Sequence, residues 1–293
     1  LTFYIVENNF DEVILVDFPG FNLMLAKKLK RLRPDLKIIY LSPPQLWVWG
    51  AWRVKKLKRY CNEVIVLYPF EVAWYKSRGV TAKWLGYPFY NEFEPYFELS
   101  EQKENKIAIL PGSRVSETVS LLPYFVQVIK LLKKRYKDLK FVLPLAESFS
   151  KDFLEREFKK LGLDDWEASI EIVVDQELKT RALSQCALAI SKPGTATLQL
   201  GLLKVPTIII YKTSWLTYLI AKSVARVKYM GLSNLLLGRE ICSELIQKKC
   251  SPEEIFKKTS EIYEQFLSND SFYVKNLKNL SELRKMLKAP RGL

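Results

Sequence analysis

The 293-residue chain contains no histidine. That absence excludes an imidazole general base, a Ser-His-Asp triad and any histidine-ligated metal site. Proton transfer must fall to a carboxylate, tyrosine, lysine or cysteine. Cysteine is scarce as well. Cys61, Cys186, Cys242 and Cys250 show no CxxC spacing and read as reduced cytosolic thiols that fill core space. Acidic residues are outnumbered, 32 against 46 basic ones, for a formal charge of +14. A surface of that sign suits an anionic partner: nucleic acid, an acidic membrane face or a phosphorylated substrate. Composition alone does not choose among them. No apolar stretch reaches the ~20 residues of a membrane span, and no signal peptide is visible. The first residue is leucine, directly ahead of strand-like text (LTFYIV), which suggests that sequence lies upstream.

What the chain does have is alternation. Short β-branched runs alternate with basic amphipathic helices, the pattern of parallel α/β units. Strands are expected at Val13 to Asp17 (VILVD, a buried type), Lys37 to Leu41, Glu63 to Leu67 and Ala82 to Leu85. Asn22 is placed to cap a helix from Leu23 to Leu32. Polar, aromatic text from about Tyr87 to Lys106, with Pro88 and Pro95, reads as a linker. A second series follows, with strands at Lys106 to Leu110, Lys140 to Pro144, Ile170 to Val174, Leu188 to Ser191 and Pro206 to Tyr211. Helices are expected from Ser120 to Tyr136 and Lys151 to Leu161, and the text from Ser251 is mostly helical. Two α/β domains imply a cleft. Ligands of open parallel sheets sit at strand carboxyl ends, so the turns after Asp17, Leu110, Ser191 and Tyr211 matter most.

Ser191 to Thr197 (SKPGTAT) leaves a strand and opens a helix. Gly194 permits close backbone approach, the helix start offers N–H groups, Thr195 and Thr197 add hydroxyls, and Lys192 adds charge. The segment is a diphosphate cradle or an ordinary strand-to-helix turn with a threonine cap. Leu110 to Glu117 (LPGSRVSE) makes a similar turn. Gly112 and Ser113 tighten it, and Arg114 stands near a helix start, where the macrodipole disfavours a cation but a phosphate would welcome one. Asp17, at a strand's carboxyl end before a Pro-Gly turn, is the natural base candidate in a chain without histidine, or else a turn cap. Trp47 to Arg59 (WVWGAWRVKKLKR) sets three tryptophans ahead of five basic residues. It fits an anionic membrane face, single-stranded nucleic acid, or a core turn followed by a solvated helix. Trp215 to Val227 is a second aromatic and basic stretch, fit to cover an acyl chain or to pack on its own domain. In Leu232 to Gln247 (LSNLLLGREICSELIQ), Asn234, Arg239, Glu240, Glu244 and Gln247 cluster at near-helical spacing around Gly238 within apolar text. Such polar groups require partners, from the protein or from a ligand.

From Glu12 to Gln247 the chain resembles the lipid-A-disaccharide synthase family. The resemblance rests on six segments in order: VDFPGFNLMLAKKL, SPPQLWVWGAWRVKKLKR, VLYPFEVAWY, LPGSRVSE, GTATLQ and SNLLLGREICSELIQ. It implies a GT-B fold, two Rossmann-like domains facing across a cleft, with the N-terminal domain incomplete. The domains would be residues 1–95, facing acceptor and membrane, and 105–270, binding the nucleotide sugar. A helical tail, 271–293, could return to the first domain. The implied reaction joins UDP-2,3-diacylglucosamine to 2,3-diacylglucosamine 1-phosphate (lipid X), with inversion, giving the disaccharide 1-phosphate and UDP in lipid A biosynthesis. It implies no cofactor and no metal, only the UDP-sugar as substrate. Asp17 and Arg114 would be catalytic. Ser113, Gly194, Thr195, Ala196, Thr197, Gln199, Tyr211, Asn234, Arg239, Glu240 and Glu244 would hold the donor or one another. The protein would be cytoplasmic, peripheral on the inner face of the cytoplasmic membrane, with that anionic surface as a partner.

The resemblance has gaps. The family's Gly-rich N-terminal segment with an SGD-type motif has no counterpart, so part of the acceptor site and about two strands are expected to be missing. Gly86-Tyr87-Pro88 stands where GHP is common, Ser233 replaces a usual proline, and SKPGT replaces SGT. An alternative of the same fold is an inactive relative that binds nucleotide sugar or lipid. VDFPGFN and GREICSELIQ argue against an epimerase or a transferase for another acceptor. Nucleic-acid binding is suggested by charge alone, with no recognition motif.

Overall fold

A computed structural model of the chain describes residues 1–146, 148–215, 218–219 and 227–290. It comprises two compact units. The first holds Leu1–Tyr90 and, from the far end of the chain, residues 286–290; the second holds Asn91–Trp215 and Lys228–Lys285. Most of the aromatic and basic stretch from Trp215 to Val227 lies outside the described residues.

In the first unit, β1 (Glu12–Val16), β2 (Lys37–Leu41), β3 (Glu63–Val66) and β4 (Ala82–Trp84) form a parallel sheet in that order. β2 buries Ile38, Ile39 and Tyr40, as a central parallel strand should. β1 departs from the buried type. It lies at the sheet edge, and Ile14 and Val16 are 55% and 56% exposed while Leu15 is buried. The helix that follows is Pro19–Leu32. Proline's fixed φ favours the first helical position, so the helix begins earlier than Leu23, and Asn22 sits inside it rather than capping it. Leu25, Ala26 and Leu29 face Ile38, Tyr40, Leu57 and Val64 in the core. The opening LTFYIV is not a strand. It lies in the helix Thr2–Glu7, which seats Ile5 in the same core, so packing overrides β-branched preference.

The second unit carries β5 (Glu104–Leu110), β6 (Lys140–Pro144), β7 (Ile170–Val173), β8 (Cys186–Ser191), β9 (Thr207–Tyr211) and β10 (Ser243–Ile246). All pair in parallel, in the order β10-β9-β8-β5-β6-β7. β10 corrects the near-helical reading of Leu232 to Gln247. Only Leu232–Leu237 is helical; Gly238 ends it at φ 66°, and Ser243–Ile246 then pairs with β9. The helix Val115–Arg135 corrects another expectation, since by length and composition it is apolar enough to cross a membrane. Here its Leu121, Leu122, Phe125, Val126, Ile129 and Leu132 pack into the core with Ile107, Phe141 and Leu188, which is the behaviour of a core helix.

All four cysteines are free, and three are buried. Burial pushes the thiols of Cys61, Cys186 and Cys242 up to about 12, so at neutral pH they remain protonated packing groups.

Lys103 is a half-buried cation whose ammonium is turned onto main-chain carbonyls. Its Nζ donates to the carbonyls of Ser184 (2.7 Å) and Leu203 (3.0 Å), the ends of two helical segments. Burial pushes its pKa down to about 7 from 10.5. Between those values the unfolded chain binds more protons than the folded one, so this lysine makes stability rise with pH through that window. The rise is at most ~1.4 kcal/mol per pH unit. Urea unfolding of Lys103→Met across the window should show that increment removed relative to the parent chain.

Candidate functional site

In the second unit, β6 and β7 extend the sheet from one side of β5, whereas β8, β9 and β10 extend it from the other. The turns that leave β5 and β8 are therefore adjacent, and a switch point of this kind is where open parallel sheets receive ligands. A cavity of about 510 Å³ opens there. Its walls are Leu110 to Arg114 with Glu117, Ser191 to Ala196, and Pro144 and Ala146 from the end of β6.

The first wall turns through Pro111, Gly112 and Ser113 into the helix Val115–Arg135, with Arg114 at its cap position. Gly112 has φ 123°. A Cβ there would lie 3.3 Å from Lys192 Cδ and 3.4 Å from Glu117 Oε2, so the glycine gives room for the two turns to meet. They meet through one carboxylate. Glu117 Oε1 accepts from Arg114 Nη1 at 3.0 Å, and Oε2 accepts from Lys192 Nζ at 2.6 Å. Burial alone would raise the Glu117 pKa, but the hydrogen bonds from Lys192 and Arg114 outweigh it and hold the carboxyl below its ordinary value. Arg114 is 77% exposed, and such a pair contributes at most ~1 kcal/mol. Its guanidinium is thus easily redirected to a stronger anion.

The second wall is the turn from β8 into the helix Thr195–Leu202, capped by Gly194. An added Cβ at Gly194 would meet nothing within 4 Å. The N–H groups of Thr195 and Ala196 have no intrahelical acceptor, whereas Thr197 N–H donates to Gly194 O at 3.1 Å, and no acidic residue occupies that turn. Two helix N-termini, Arg114 and Lys192 thus converge on one cavity, an arrangement that favours a di-anion. Of the predicted donor residues, Ser113, Arg114, Gly194, Thr195 and Ala196 are brought together here.

Others are not. Thr197 is fully buried; its hydroxyl donates to Gly194 O (2.8 Å) and accepts from Leu232 N (3.3 Å), so it braces the turn from within. Gln199 lines a neighbouring cavity of about 500 Å³ that shares Leu110, Ser113, Pro144 and Ala146 and extends to Gln176, Lys179 and Thr180. Tyr211 ends β9 and borders neither cavity. Asn234 is buried with every polar function used by the protein. Its Oδ1 accepts from Ile241 N and Cys242 N, both at 2.8 Å, and its Nδ2 donates to Cys242 O (2.7 Å) and Glu244 Oε1 (2.9 Å). Glu244 also accepts from Met230 N and Gly231 N at about 3 Å. Arg239 is turned to Glu282 at 2.6 Å, and Glu240 is exposed. This cluster partners itself, which removes Asn234, Glu244 and Arg239 from the cavity wall.

Sequence reasoning missed Glu117 as a site residue, although its i+3 spacing from Arg114 was readable. Gln176, Lys179 and Thr180 carried no local signal, since only β7's place in the sheet brings them near.

In the first unit, Asp17 follows β1 with φ 46°. Its side chain is exposed and makes no hydrogen bond or ion pair among the described residues. The tryptophan segment divides. Trp47 is buried, its Nε1 donating to buried Glu71 at 2.8 Å, and Glu71 also accepts from Leu67 N and Tyr68 N. Burial raises the Glu71 pKa against these bonds. Trp49 and Trp52 are 53% and 63% exposed, and Arg53 lies over both rings at 4.8 and 5.0 Å. The helix Val54–Tyr60 buries Val54 and Leu57 and exposes Lys55, Lys56, Lys58 and Arg59.

Two successive parallel α/β units place the protein in the GT-B class. Solved structures of similar fold include the UDP-GlcNAc 2-epimerase from Methanocaldococcus jannaschii, with a TM-score of 0.55 and 12% identity over 98% of this chain and 79% of that one. HepE from Anabaena, crystallised with UDP, has a TM-score of 0.53 and 11% identity over 98% and 78%. The family is narrower: the model for lipid-A-disaccharide synthetase matches residues 1–289, and the chain belongs to that family. Lipid-A-disaccharide synthases from Trichlorobacter lovleyi and Geobacter metallireducens are 36% and 34% identical to it over 262 and 259 residues. Each alignment covers 86% of this chain, which spans 65% of the length of these relatives.

The self-contained Asn234 knot makes a separable prediction. Asn234→Ala should destabilise the chain by on the order of 3 kcal/mol in urea unfolding, because four hydrogen bonds lose their partner.

Proposed function

We propose that the chain transfers a diacylated glucosamine from UDP to the 6-hydroxyl of 2,3-diacylglucosamine 1-phosphate, with inversion and in lipid A biosynthesis. The observation that carries this reading is the cavity between the β5 and β8 turns, where Arg114, Lys192 and two helix N-termini meet, in a chain of this family. A nucleoside diphosphate is the anion that such a cradle suits, and UDP occupies the similar fold of HepE.

In this scheme the acceptor's 6-oxygen forms a bond to the donor's anomeric carbon as the bond from that carbon to the β-phosphate oxygen breaks. UDP leaves with the bonding electrons. The charge that develops on it is met by Arg114, Lys192 and the N–H groups at Gly194 to Ala196. The acceptor proton passes to the Asp17 carboxylate. No metal or cofactor takes part. Ser113 and Thr195 serve as hydroxyl donors to the diphosphate, and the second cavity, with Gln199, Lys179 and Thr180, serves the rest of the donor.

The test is UDP release from UDP-2,3-diacylglucosamine with and without the 1-phosphate acceptor. Arg114→Ala should lower kcat by roughly a hundredfold and weaken UDP binding, as loss of an oxyanion donor does. Asp17→Ala should lower acceptor-dependent release by roughly a hundredfold to ten-thousandfold, as loss of a general base does, while leaving UDP affinity intact. UDP binding without any release would favour the alternative, a binding-only relative. Failure to bind UDP would overturn the assignment of the cradle.

The first unit, in the same reading, rests on the anionic inner face of the cytoplasmic membrane, where both lipids reside. Trp49 and Trp52 enter the interface, and Arg53, Lys55, Lys56 and Lys58 meet the headgroups. Trp49→Ser/Trp52→Ser should reduce sedimentation with phosphatidylglycerol vesicles at least tenfold and spare UDP affinity. Unchanged sedimentation would exclude these tryptophans as the anchor.

A further inference from the structure

The turn that carries Asp17 is conformationally expensive. Asp17 and Phe18 are consecutive non-glycine residues with φ of 46° and 41°, a region that L side chains disfavour. Burial of Phe18 does not offset the cost, since its ring is 70% exposed. Strain of this kind persists only where surrounding groups impose it.

Two buried side chains impose it here. Tyr40, fully buried in the neighbouring β2, donates its hydroxyl to Asp17 O at 2.5 Å. Asn22, 8% exposed, donates Nδ2 to the same oxygen at 2.7 Å and to Val16 O at 2.9 Å. The Asp17 N–H donates to Leu41 O at 3.2 Å, which fixes the other side of the residue to β2. The Asp17 peptide is therefore held from strand and helix at once, while its carboxylate stays exposed. Burial raises the Tyr40 pKa, so its hydroxyl remains a donor throughout the neutral range.

We propose that Tyr40 and Asn22 are positioning residues that hold the Asp17–Phe18 turn left-handed and thereby fix the direction in which the Asp17 carboxylate is presented to the acceptor hydroxyl. The inference rests on the reading of Asp17 as the proton acceptor. Neither residue touches the reacting atoms; each acts through the main chain of Asp17.

Two measurements test it. Crystal structures of Tyr40→Phe, which keeps the ring and its packing, and of Tyr40→Phe/Asn22→Ala should show Asp17 and Phe18 leaving the left-handed region in the double variant. A turn that stays left-handed there overturns the proposal. The second is a kinetic cycle with Asp17→Asn. Tyr40→Phe alone should lower kcat tenfold to a hundredfold with the KM for the UDP-sugar unchanged. In the Asp17→Asn background the same change should have no further effect, whereas a merely structural role would lower kcat equally in both. An equal loss in both backgrounds, or a kcat for Tyr40→Phe at the parent value, refutes the positioning role. If Asp17→Asn itself turns over at the parent rate, or the parent chain shows no turnover, the base reading fails instead, and the crystal structures alone decide whether Tyr40 and Asn22 hold the turn.

Discussion

Because β8 returns to pair with β5 instead of extending the sheet beyond β7, two strand-to-helix turns that lie about eighty residues apart in sequence end side by side. Much else in the second unit follows from that adjacency. Each turn alone offers a few N–H groups and one cation, a weak anion site. Together they double the dipolar field and bring Lys192 onto Glu117, which already holds Arg114. Gly112 is required for the same reason, since a side chain there would press against both partners of the ion pair.

The general architecture was legible in the sequence because parallel strands buried on both faces are nearly continuous apolar runs. Nine of the ten strands among the described residues were placed within a few residues, as KIIYL and CALAI show. β10 was not, because SELI is short, half-buried and carries a glutamate whose role appears only once Met230, Gly231 and Asn234 are seen to bond to it. LTFYIV failed in the opposite direction. Its composition favours a strand, yet a six-residue helix that seats Ile5 was the better packed solution.

The candidate site was legible where a turn residue faces outward and illegible where it faces inward. SKPGTAT read as a diphosphate cradle or an ordinary strand-to-helix turn, and LPGSRVSE as a similar turn with an arginine near a helix start; Ser113, Arg114, Gly194, Thr195 and Ala196 line one cavity. Thr197 and Asn234 belong to equally polar text but spend their hydrogen bonds on the protein. Nothing in local spacing distinguishes a polar group that awaits a ligand from one that already has an internal partner. Only burial and a complete account of donors and acceptors does so.

Glu117 has a further consequence for the anion cradle. It is a resident competitor: a diphosphate that recruits Arg114 and Lys192 must displace one carboxylate from both. Binding is then an exchange of counter-charges rather than the neutralisation of bare cations, so the net affinity is the difference between two similar attractions. A cradle built this way keeps its cations aligned at little electrostatic cost, and it hands them back a partner when a bound anion departs, which favours release over retention.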